Sequence, residues 1–109
     1  MAVVVRNHYI RTSTDVTWPW DLTGPDGSAI KEYGDSIRQR IEDAKVYTEN
    51  TFGASFSYGD VSDLDTYVDV SFPDQAAYDA HADYVNTDPN WFPAVPATFG
   101  ISRSNEILP

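Results

Sequence analysis

A chain of 109 residues with a formal net charge of −10 is the size of one domain, read here as residues 1–109, and such a chain encloses a single core without staples. It contains no cysteine, which excludes disulfides, thiolate metal sites and cysteine nucleophiles. Hydrophobic residues at 41% and aromatics at 14% exclude a disordered acidic tail. Between Lys45 and Arg103 there is no Lys or Arg while aspartates run from Asp60 to Asp88, a surface that should repel nucleic acid and anionic membrane.

The opening MAVVVRNHYIRT has no basic leader and no long apolar stretch, and no segment reaches the roughly eighteen apolar residues of a membrane span. A cytoplasmic location is the expectation. Residues 2–12 alternate as a strand, with Val3, Val5, Asn7 and Tyr9 on one face and Val4, Arg6, His8 and Ile10 on the other. A turn-rich loop, STDVTWPWDLTGPDG, holds Trp18 and Trp20, which are expected to fold over an edge of the core or a partner. Ile30, Tyr33, Ile37, Ile41, Ala44, Thr48 and Phe52 then recur at helical spacing. Gly34 places the regular start of this helix near Asp35, and Gly53 supplies its stop.

ASFSYGDV and DTYVDVSF read as two strands joined by the short polar link SDLD, hence an antiparallel hairpin. Asp74 is a good N-cap for a second helix running to about Val85. After a loop containing WFPAVP, the segment TFGISRSNEI forms the last strand, with Phe99, Ile101 and Arg103 on one face.

The order β-α-β-β-α-β is the ferredoxin-like arrangement: an α+β sandwich in which a four-stranded antiparallel sheet carries two helices on one face. The first and third strands are then central. The other face is left bare, and an apolar bare face predicts a homodimer packed through the sheet. The chain resembles the dimeric α+β barrel superfamily, which includes the antibiotic-biosynthesis-monooxygenase-like and haem-degrading monooxygenase families. The resemblance rests on element order and on VDVSFPDQAAYDAH, where Tyr78 and His81 fall in the phase at which members place aromatic or His residues. Haem-degrading members carry an Asn on the first strand, a Trp on the second helix and an iron-binding His. Asn7 matches the first, His81 stands near the position of the Trp, and DPNWFPA offers no histidine, so haem is not expected as a cofactor.

His81 shares a helix face with Tyr78 and Val85. Its first reading is a ring packed in the helix–sheet seam; its alternative is proton transfer in a cleft, with Asn7 and Tyr9 positioning a substrate. On the opposite sheet face His8 is expected to approach Asp69, with Arg6 and Tyr67 completing a polar cluster. The DVSDLD turn lacks the glycine and ligand spacing of a calcium loop, and the histidine spacing recommends no other metal, so neither metal nor cofactor is expected. The nucleophile-elbow, P-loop, dinucleotide and zinc-protease signatures are absent. The expectation is a dimeric module binding a small apolar ligand or a protein partner, through Asn7, Tyr9, His8, Asp69, Tyr67 and Tyr78. The alternative is a cofactor-independent monooxygenase or isomerase using His81.

Overall fold

The structure, a computed structural model, describes residues 2–87 and 100–109. Its elements run β1 (Val3–Arg11), a 3-10 turn (Pro19–Asp21), α1 (Ala29–Phe52), β2 (Ser55–Ser62), β3 (Asp65–Phe72), α2 (Gln75–Thr87) and β4 (Ile101–Ile107). The strands form one antiparallel sheet in the order β2-β3-β1-β4, so the first and third strands are the central pair. This is the ferredoxin-like α+β arrangement. Among the described residues no helix is long and apolar enough to cross a membrane. Phe99, Trp91 and Phe92 lie outside the described residues.

α1 begins at Ala29, six residues before the glycine-weakened start expected at Asp35. Ser28 caps it, its hydroxyl accepting from the Lys31 backbone N–H at 3.3 Å. Gly34 does not break the helix. A side chain there would collide with the Leu22 carbonyl, so the glycine is what lets the loop cross α1 at close range. The helix ends as expected at Gly53, which takes the left-handed conformation (φ 67°) and donates to the Glu49 carbonyl at 3.0 Å. Ile37, Ala44 and Thr48 are buried at successive spacings of two turns and one turn along the face turned to the sheet. α2 is capped by Asp74, whose carboxylate accepts from the Ala77 N–H at 2.8 Å, and it runs two residues past Val85.

Strand pairing decides which side chains meet. Val3 lies opposite Phe72, Val5 opposite Val70 and Asn7 opposite Val68. On the other side, Tyr9 lies opposite Arg103 and Asn7 opposite Asn105. With the two-residue period of a strand, the odd positions of β1 and the even positions of β3 therefore line the helix-covered face. Tyr9, Val70 and Phe72 are 1%, 2% and 1% exposed there and join Val68, Ile101, Ala44 and Ala54 in one core. Full burial stabilises by about 1.5–3 kcal/mol for each such Val or Phe. Trp18 and Trp20 pack against this core with their rings stacked at 5.3 Å, and Trp20 meets Tyr9 edge-on at 5.3 Å. The tryptophan loop thus folds over an edge of the core.

The uncovered face does not match the apolar patch expected of it. Along it stand Arg6, His8, Asp65, Tyr67, Asp69 and Glu106, with serines on the flanking strands. Val4 and Ile10 share this face, but the alternation of β1 and β3 carries Val3, Val5, Val68, Val70 and Phe72 to the helix side and leaves charges of both signs outside.

Candidate functional site

The seven side chains singled out from the sequence fall in three places. The first is the uncovered face. Arg6 donates to both oxygens of Asp69, from Nε at 2.8 Å and Nη2 at 2.9 Å, and its guanidinium lies 3.8 Å above the centre of the Tyr67 ring. The Asp69 hydrogen bond is the main reason the guanidinium is held charged beyond its ordinary range. His8 does not reach Asp69, because the register sets Arg6 across from that residue. Its Nδ1 lies 2.8 Å from Asp65 and its Nε2 3.3 Å from Glu106, bracing β1 to β3 and to β4. The Asp65 hydrogen bond outweighs partial burial and raises the His8 pKa above its ordinary value, with Glu106 adding to the effect. Every charge in this cluster faces an opposite one, which is the arrangement of a structural network.

The second place is a cleft between α2 and strands β1 and β4, with a volume of about 270 Å³. It brings together the sequence-predicted Asn7, Tyr78 and His81 and adds Arg103 and Asn105, which carry no site signal in the sequence. His81 is 6% exposed, with the rings of Phe52, Phe72 and Tyr84 at 5.1, 5.0 and 6.2 Å. Burial lowers its pKa to about 4, so the ring is neutral over the physiological range. His81 is both a packed ring and part of the cleft wall. Asn7 donates its amide to the Val68 carbonyl at 3.3 Å, which fixes it on the floor. Arg103 stands at the mouth, its guanidinium 5.3 Å over the Tyr9 ring.

The third place is a cleft of about 330 Å³ between α1, the tryptophan loop and the sheet. It is lined by Tyr9, Trp20, Ile41, Tyr58 and Val68, with Arg38, Thr66 and Tyr67 also touching it. Two of its polar side chains, Arg38 and Thr66, are engaged within the fold. Arg38 donates to the Trp20 and Leu22 carbonyls at 2.9 and 2.8 Å, and the Thr66 hydroxyl donates to the Gly59 carbonyl at 2.9 Å. Burial raises the pKa of Tyr9, with Arg103 partly opposing, and burial also raises that of Tyr58. These groups stay un-ionised, and the cleft presents aromatic walls with no carboxylate among the described residues that line it.

Trp20, Ile41 and Tyr58 carried no site signal beyond being apolar; only the packing of loop against helix makes them one surface. Arg103 and Asn105 were within reach of strand alternation once β4 was paired with β1. Among the described residues no group of three or more His, Asp or Glu is placed to hold a metal ion.

These features define an α+β domain of ferredoxin-like topology, with two clefts under its helices and an ion-paired outer sheet face. Compared with protein-family models, curated proteins and solved structures, the chain matches none of them.

Proposed function

We propose that this domain is a binding module for a small, largely apolar molecule held in the aromatic cleft beside α1. The observation that carries this reading is that Arg38, the one cationic group among the described residues lining the cleft, and the Thr66 hydroxyl are already committed to the fold. Arg38 and Thr66 already serve the fold, so what remains for a ligand is the surface of Tyr9, Trp20, Ile41, Tyr58 and Val68. Its volume lies at the lower end of small-molecule sites. The neutral fluorescent probe N-phenyl-1-naphthylamine tests it. Saturable binding of one probe per chain is expected, quenching Trp20, and weakened about tenfold by Tyr58→Ala at the exposed rim. Unsaturable binding, or binding indifferent to that substitution, would sink the reading.

A second reading is a cofactor-independent monooxygenase or isomerase of the dimeric α+β barrel type, with His81 moving a proton. It is favoured by one observation: Asn7, Tyr78 and His81 line the same cleft. An imidazole with a pKa near 4 is a weak base, which is why this reading ranks second. Exchange of the α-protons of an aryl ketone for deuterium, followed by NMR, checks it. Acceleration by the protein that disappears in His81→Phe supports it, and equal rates for the two proteins remove it.

Pairing of two copies through the uncovered sheet face belongs to both readings, and electrostatics supports it. Arg6 and His8 stand beside Asp65, Asp69 and Glu106, so the face is self-complementary under a twofold rotation. Such a dimer weakens as salt is added; sedimentation showing a monomer at micromolar concentration and low salt removes it.

A further inference from the structure

The cleft beside α2 differs from its aromatic neighbour in carrying an uncommitted positive charge. Among the described residues Arg6, Lys31 and Arg38 each pair with a carboxylate, and Arg11 donates to the Asp63 and Val16 carbonyls at 2.7 and 2.9 Å. Arg103 has no ion pair and no hydrogen bond among the described residues. Its guanidinium is not adrift: it lies over the buried Tyr9 ring, which orients it at the cleft mouth. Beside it stand Asn7 and Asn105, opposite one another across β1 and β4, and the Asn105 amide has no hydrogen-bond partner among the described residues.

Among the described residues no carboxylate lines this cleft. The aspartates of α2 nearest to it, Asp79 and Asp83, are exposed and outside its lining. The inner wall is apolar, built from Val5, Val70 and Phe72. A guanidinium fork and an open amide at the rim, with apolar walls behind, is an arrangement complementary to a planar oxyanion on a short apolar body.

We infer that the cleft between α2 and β4 binds a small monocarboxylate, its carboxylate on Arg103 and Asn105 and its apolar part against Val5, Val70 and Phe72. This site is separate from the aromatic cleft beside α1 and does not depend on that cleft being occupied. A ligand seated here also lies in the cavity walled by His81, so its charge reports on that ring.

The test is an NMR titration of the full chain with phenylacetate, and with phenylacetamide as the neutral analogue of nearly the same shape. Expected are saturable shifts of the Asn7 and Asn105 side-chain amides and of His81 with phenylacetate, and a rise in the His81 pKa when it is bound. Phenylacetamide is expected to bind about tenfold more weakly. Arg103→Gln, an exposed position where folding is not at stake, should lose about tenfold for phenylacetate and nothing for phenylacetamide. Arg103→Lys, which keeps the charge without the fork, should fall between. Tyr58→Ala should leave phenylacetate binding unchanged, which separates failure of this site from failure of the aromatic one. Equal affinity for the two probes, indifference to Arg103→Gln, shifts centred on Trp20 and Tyr58, or no saturation at millimolar phenylacetate would each overturn the inference.

Discussion

The two faces of the sheet each hold one of the two histidines, and the faces treat them in opposite ways. His81 on the helix-covered side is enclosed by Phe52, Phe72 and Tyr84, and burial lowers its pKa to about 4. His8 on the open side lies between Asp65 and Glu106, and its pKa rises. The difference shows what holds each face. One is stabilised by removing apolar surface from water, the other by a lattice of hydrogen-bonded charges that stays partly solvated. The first term is large and insensitive to salt; the second is small for each pair and screened.

The comparison is broken most directly by truncating one ring on each face. Phe72→Ala removes a 1%-exposed ring that packs against Tyr78 and His81, and should cost about 3–5 kcal/mol. Tyr67→Ala removes a half-buried ring whose partner is the Arg6 guanidinium, and should cost about 1–2 kcal/mol. Urea unfolding of the two variants measures both. If Tyr67→Ala proves as damaging as Phe72→Ala, the outer face is part of the core and the distinction fails.

Much of the fold was legible in the sequence because it is written in short-range signals. The bounds of β3, the Asp74 cap and the Gly53 stop all follow from residues within a few positions of one another. Gly34 was misread for the same reason. Its helix-weakening tendency is local and visible, whereas the Leu22 carbonyl that requires a glycine there arrives from another part of the chain. The partner of His8 depended on a register shift of a few residues, which alternation alone does not fix. The bare face was expected to be apolar because β1 carries apolar residues at both parities. Pairing with β3 shows that the odd positions meet Val68, Val70 and Phe72, while the even ones meet Asp69 and Tyr67. Arg103 escaped notice as a site residue because an isolated arginine on an edge strand has no signature until its neighbours are known.

The next prediction concerns acid. An unfolded histidine titrates near 6.5, so between that pH and about 4 the unfolded chain takes up a proton that folded His81 does not. The sign follows: the unfolded state gains, and stability falls as pH drops from about 7 to about 4, by about 3 kcal/mol from this residue. Carboxylates titrate in the lower part of the same window, so the quantity to measure is the difference in pH slope between the native chain and His81→Phe. The slope should be shallower in the variant. Parallel slopes would mean that folded His81 is as accessible to protons as an unfolded one.

The smallest effect is the mirror image of this, and it sharpens the comparison most. A raised His8 pKa stabilises the folded chain fully below about pH 6.5, and the contribution is lost as pH rises through the folded value. His8→Gln should therefore destabilise at pH 6 and do little at pH 9, the reverse of the pH dependence expected from His81. The two carboxylates are not equal partners. A neutral imidazole has one N–H and satisfies only one of them as a donor, whereas the imidazolium donates to both. The Asp65 contact is the shorter, 2.8 Å against 3.3 Å, and the side chain of Glu106 is 55% exposed while that of Asp65 is 22% exposed. Asp65→Asn should accordingly lower the His8 pKa more than Glu106→Gln, as read from the ring proton shifts in an NMR titration. Equal effects would place the positive charge midway between β3 and β4, and the brace would belong to the edge strand as much as to the centre of the sheet.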